Sequence, residues 1–243
     1  MIPIHFGSRD RLMLGIYSPA AVPRKRRGVL FLNPWGIEAM RAHRSIKQLS
    51  DILVRAGHDS FRFDYYGTGD SFGDDRDVTL SGCVDDAEWA LDELLGAASV
   101  AKVTVVGLRL GGLVAGQLAA RRAREIDQVV FWDAPPTGRA YLEELSARAS
   151  IPVEDFRQQS GYEISPTFRD ELLSASLDGL PGTRAKVLVA SSAASVDPAP
   201  LGLKAKSVDA LAVESLNCWE EERDFGAGAV PVELCKGIAA WVA

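Results

Sequence analysis

The run Gly107-Leu108-Arg109-Leu110-Gly111-Gly112 follows the apolar stretch Val103-Thr104-Val105-Val106 and leads into an alanine-rich segment. A strand, a glycine-flanked tight turn and a helix in that order lift one side chain toward a pocket. A serine, cysteine or aspartate at the bend would attack a substrate. The residue at the bend is Arg109, which stays protonated and cannot act as a nucleophile. Its planar, forked cation instead suits a carboxylate, either on a ligand or on the protein itself. The same turn aims the backbone N–H of Leu110 at the pocket, and the loop around Trp35 could add a second donor. Such a pair holds a carbonyl oxygen or an enolate without covalent attack.

A nucleophile at such a bend also needs a histidine base arriving late in the chain. His5, His43 and His58 all lie in the first quarter, and the segment 214–223 contains no histidine. His5 and His58 read as structural or solvated, whereas His43 opens a helix and could reach a pocket rim. Asp133 and Asp197 each follow an apolar strand, and either could pair with Arg109. Gly69-Asp70-Ser71-Phe72-Gly73 spells out a serine-nucleophile pattern letter for letter. It lies within a longer loop with no helix start after it, so Ser71 reads as a turn residue bonded to nearby backbone. Candidate ligand-binding residues are Pro34, Trp35, Trp132, Tyr141, Phe156, Tyr162 and Trp219, with Phe168 beside them. Aromatic side chains of this kind can wall an apolar cavity, and packing in the core is the competing role for each.

The elements that must position these residues follow from hydrophobic periodicity. An edge hairpin is expected over 2–6 and 12–17, and apolar strands over 28–32, 60–65, 103–106, 128–132, 185–190 and 208–213. Helices are expected over 43–56, 80–95, 113–124 and 231–242. Strands alternating with helices indicate an α/β fold, a mostly parallel twisted sheet flanked by helices. Ligands of such sheets bind beyond the carboxyl ends of the strands. The rhythm breaks between about 137 and 182, where helical patches at 139–148 and 166–177 suggest a short helical lid inserted into a single domain, 1–243.

Composition narrows the partners. Thirty-three acidic against 27 basic residues give a net charge of −6, which argues against nucleic acid as a partner. The basic cluster 24–27 reads as a solvated turn. No run of apolar residues is long enough to span a membrane, and the first residues carry no export signal. Three widely spaced cysteines, Cys83, Cys218 and Cys235, fit reduced thiols in a cytoplasmic protein and no metal spacing. No cofactor and no metal are expected, and oligomeric state is left open.

The order of elements and the bend at Arg109 resemble the α/β-hydrolase superfamily over nearly the whole chain. The loop 64–71 looks like that family's turn before the helix preceding its nucleophile elbow, and Asn33-Pro34-Trp35-Gly36 stands where many members form the oxyanion hole. More narrowly, 63–71, 107–111 and 132–139 resemble a bacterial group of exosortase-associated or peptidase-like hydrolases, some with arginine at the elbow. The resemblance implies the hydrolase fold in an atypical member without the Ser-His-Asp triad. Three functions follow. One is a non-hydrolytic isomerase or epimerase moving a proton next to a carbonyl, for example on a modified peptide natural product, with Arg109, Leu110 and Asp133 as the catalytic set. The second is a non-catalytic pocket that binds a small molecule or peptide, or a partner. The third is a hydrolase using a non-standard nucleophile or an activated water.

Overall fold

Short apolar runs without alternation are stable only where both faces of a strand are covered, and the computed structural model covers them with helices on both sides. It describes residues 1–178, 184–220, 222–224 and 227–243. The chain opens with the antiparallel pair β1 (Ile2–Ser8) and β2 (Arg11–Ser18), then β3 (Gly28–Leu32), α1 (Ile37–Arg55) and β4 (Asp59–Phe63). It continues through α2 (Leu80–Ala98), β5 (Val103–Leu108), α3 (Leu110–Arg121) and β6 (Ile126–Trp132). An insertion follows, with α4 (Gly138–Ala149), the small hairpin β7 (Gln158–Gln159) and β8 (Tyr162–Glu163), and α5 (Pro166–Ser174). The chain ends with β9 (Lys186–Ser191), β10 (Ser207–Ala212), a second small hairpin β11 (Glu222–Asp224) and β12 (Ala227–Gly228), and α6 (Val232–Val242).

Eight strands form one sheet in the order β1-β2-β4-β3-β5-β6-β9-β10. Pairing is antiparallel for β1–β2 and β2–β4 and parallel from β4 to β10. One core fills the space between the sheet, α2, α3 and the insertion; a second lies under α1 and α6.

Expected and observed elements agree closely in the sheet and less well at the starts of α1 and α3. Helix α1 begins at Ile37, six residues before its expected start. Its first turn buries Glu38, a polar residue to which apolar periodicity is blind. Helix α3 begins at Leu110 because Arg109 is itself its N-cap. Helix α5 stops at Ser174, after which Ser176 bridges to Thr137 and closes the base of the insertion. The two small hairpins are too short for periodicity to signal. The expected end of the insertion, 179–182, lies outside the described residues.

Candidate functional site

The bend between β5 and α3 survives in full. Arg109 has φ 54° and ψ −120°, a backbone region that few non-glycine residues occupy. Three glycines permit it by close approach. A Cβ on Gly107 would meet the Gly111 carbonyl oxygen at 2.2 Å, and one on Gly111 would meet the Leu32 carbonyl oxygen at 2.1 Å. One on Gly112 would meet the Ala134 Cβ at 2.3 Å. Leu110 is the first residue of α3, where a backbone N–H has no partner within its own helix.

The Arg109 side chain does not reach solvent; only 4% of it is exposed. Its Nε donates to Glu38 Oε1 at 3.4 Å, its Nη1 to the Asp133 carbonyl oxygen at 3.1 Å, and its Nη2 to Glu144 Oε2. Its guanidinium lies 3.9 Å from the centre of the Trp219 ring and 5.5 Å from that of Tyr141. Glu38, wholly buried, also accepts from the Tyr141 hydroxyl at 2.9 Å and from Arg148 Nη1 at 3.0 Å. Arg148 continues to Glu144 at 3.4 Å and Glu220 at 3.3 Å, and covers the same Trp219 ring at 4.6 Å. Burial opposes the charge on Arg109, but Glu38 and Glu144 outweigh it and hold the guanidinium above its ordinary pKa. Burial, followed by the charge of Glu38, pushes the Tyr141 hydroxyl well above its ordinary value, so it stays a donor.

The pairing expected of Asp133 or Asp197 is therefore corrected: the carboxylates on Arg109 belong to Glu38 and Glu144. Asp133 has φ 44°, and its side chain turns toward donors on neighbouring segments. It accepts from Ser191 Oγ (2.9 Å), Ser192 N (3.0 Å), Ser192 Oγ (2.6 Å) and Trp219 Nε1 (3.2 Å). Its carboxylate orients the indole on which Arg109 rests. Asp197 accepts the Ala199 N–H at 3.0 Å within its own loop.

Most of the aromatic candidates fill space and do not wall a cavity. Trp132 packs in the core under α1 and α6, and Phe156 in the core on the opposite face. Trp35 is buried edge-on between Tyr162 and Phe168, with ring centres 6.0 and 5.5 Å away. Ser71 Oγ donates to the Asp64 carbonyl at 2.6 Å and accepts the Leu14 N–H at 2.9 Å, which fixes the loop in place. Glu38, Glu144 and Arg148 escaped sequence reasoning. Glu144 and Arg148 carried a signal, an acid four residues before a base on a helix; Glu38 carried only its place just after the Trp35 loop.

A cavity of about 670 Å³ opens on the other side of the β3–α1 loop, between α1 and the β2–β4 pair. Pro34, Tyr162 and the exposed His43 line it; neither Arg109 nor Leu110 does. Its apolar walls include Leu14, Ile16 and Ile46, and its polar ones Arg62 and Asp64. Burial raises the pKa of Asp64, a shift that the Asp70 N–H opposes. Among the described residues no cluster of His, Cys, Asp and Glu is arranged to hold a metal ion, and no helix is long and apolar enough to cross a membrane.

No family model and no curated protein matches the sequence. Solved structures do match, over almost the whole chain. Est1E from Butyrivibrio proteoclasticus, with ferulic acid bound, superposes with a TM-score of 0.72 at 13% identity, covering 98% of this chain and 97% of that one. Mouse alpha/beta hydrolase domain-containing protein 10 gives 0.64 at 15% identity over 100% and 97%. An alpha-beta serine hydrolase homologue from Coxiella burnetii gives 0.64 at 12% identity over 100% and 97%. The sheet order, the bend before α3 and these superpositions together establish that the chain has the α/β-hydrolase fold.

Proposed function

We propose that this chain is a ligand-binding protein on a hydrolase fold, its elbow closed by an internal ion pair. One observation carries the reading: the guanidinium of Arg109 is fully engaged by Glu38, Glu144, the Asp133 carbonyl and the Trp219 ring. A substrate carbonyl drawn to the Leu110 N–H would have to displace that assembly. The cavity beside α1 is then the ligand compartment, of a size suited to a small molecule. A cytoplasmic setting and kinship with the bacterial peptidase-like group are part of this proposal.

Proton transfer next to a carbonyl is the second reading. It is favoured by the retained φ and ψ at Arg109, which keep the Leu110 N–H in donor position. The hydrolase reading asks for a nucleophile that the elbow does not carry. Incubation with a fluorophosphonate probe is expected to leave the wild-type protein unlabelled. Turnover of p-nitrophenyl acetate is expected from neither wild type nor Arg109→Ser, because no histidine follows the elbow in the chain to relay the proton. A covalent serine adduct, or robust esterase activity in either protein, would overturn the reading.

A further inference from the structure

We propose that the cavity beside α1 binds a monocarboxylate with an apolar body, the carboxylate held by Arg62 and the body lying along Leu14, Ile16 and Ile46. This rests on the cavity being the ligand compartment and not on the state of the elbow.

Arg62 lies on β4 directly opposite Ile16 of β2, so the strand pairing places the cation beside apolar neighbours. It is only 9% exposed. Its Nε has no hydrogen-bond partner, and its Nη2 meets only the Met1 sulfur, at 3.8 Å. No ion pair to Arg62 is formed among the described residues. The other buried arginine, Arg109, has two carboxylates against it. Asp51 and Asp64 act on Arg62 only from beyond ion-pair distance and do not offset its burial, and a carboxylate entering the cavity would do so with two parallel hydrogen bonds. Asp64 does not serve that role. Its Oδ2 accepts the Asp70 N–H at 3.1 Å and its Oδ1 lies 3.4 Å from Asn33 Nδ2. Of the two acids lining the cavity, Asp64 has both oxygens engaged and Asp70 is exposed to solvent, whereas Arg62 is buried with its Nε unpartnered, which sets the sign of the ligand. The two exposed charged residues of the lining, Arg44 and Asp70, are opposite in sign and leave the buried Arg62 as the deciding charge. The apolar walls select a hydrocarbon or aromatic body over a small hydrophilic acid.

Decanoate and its neutral analogue decanol are the probes, titrated into the full chain by calorimetry at neutral pH. Decanoate is expected to bind with a dissociation constant on the order of tens of micromolar, and decanol at least about tenfold more weakly. Arg62→Met keeps the volume and removes the charge; it should lose the preference for decanoate without lowering the melting temperature, since no ion pair is broken. Ala39→Phe fills the cavity from α1 and leaves Arg62 intact; it should abolish binding of both probes, and it carries the test should Arg62→Met fold poorly. Equal affinity for the two probes, no binding of decanoate, or undiminished binding to Ala39→Phe would overturn the proposal. Fluorophosphonate labelling would sink the closed-elbow reading and leave this one untouched.

Discussion

At Arg109 a permanent charge sits where solvent cannot reach, so its neighbours decide whether the chain tolerates it. Glu38 is the neighbour that matters most, being itself wholly buried and shared by Arg109, Arg148 and Tyr141. Glu38→Gln leaves two guanidiniums short of a counter-charge and is expected to cost about 3 kcal/mol in urea unfolding. Arg109→Met should cost less, because Glu38 keeps Arg148 and Tyr141. If Arg109→Met proves the more damaging change, the buried pair is not organised around Glu38. At this scale the sequence was half legible. An arginine in a glycine-flanked turn identifies itself, but its partners come from α1, from α4 and from the segment before β11, segments that no local pattern joins.

The element that holds the bend is a contact between backbones. Helix α3 starts so close to β3 that Gly111 has no room for a methyl group. Gly111→Ala is therefore expected to lower stability by more than about 2 kcal/mol. Gly96→Ala is the matched control: that glycine lies in α2 with nothing within 4 Å of an added Cβ. It should be neutral or stabilise by up to about 1 kcal/mol. Equal effects of the two changes would show that the close approach is not what requires glycine. Elements of this kind were the most readable part of the chain. The run 28–32 was expected as a strand to the residue, because five apolar residues between turns admit little else. The starts of α1 and α3 were less readable, since α1 buries an acid in its first turn and α3 is capped by Arg109 itself.

For the molecule as a whole, pH sets a slope on stability through His58, buried at the head of β4 near Lys25 and Arg27. Burial first, then those two cations, push its pKa from 6.5 down to about 4. Above pH 6.5 the group is neutral in both states and adds no slope. Between 6.5 and 4 the unfolded chain takes up a proton that the folded one refuses, so stability falls with falling pH, by up to about 3 kcal/mol. The raised pKa values of Asp64 and Asp86 act in the opposite sense, so the contribution is isolated by comparing His58→Gln with wild type. The variant should lose less stability across that range; parallel curves would mean that the histidine ionises in place. The overall architecture was legible because every strand of the main sheet announced itself, whereas the site was not, being made by contacts between distant segments. Those contacts reach one further property. Glu144 and Arg148 tie α4 through Trp219 and Glu220 to the far side of the sheet, as a clasp joins two edges of a bag. Amide hydrogens of α4 should then exchange with deuterated solvent about as slowly as those of β5, and removing the clasp with Arg148→Ala should speed α4 alone.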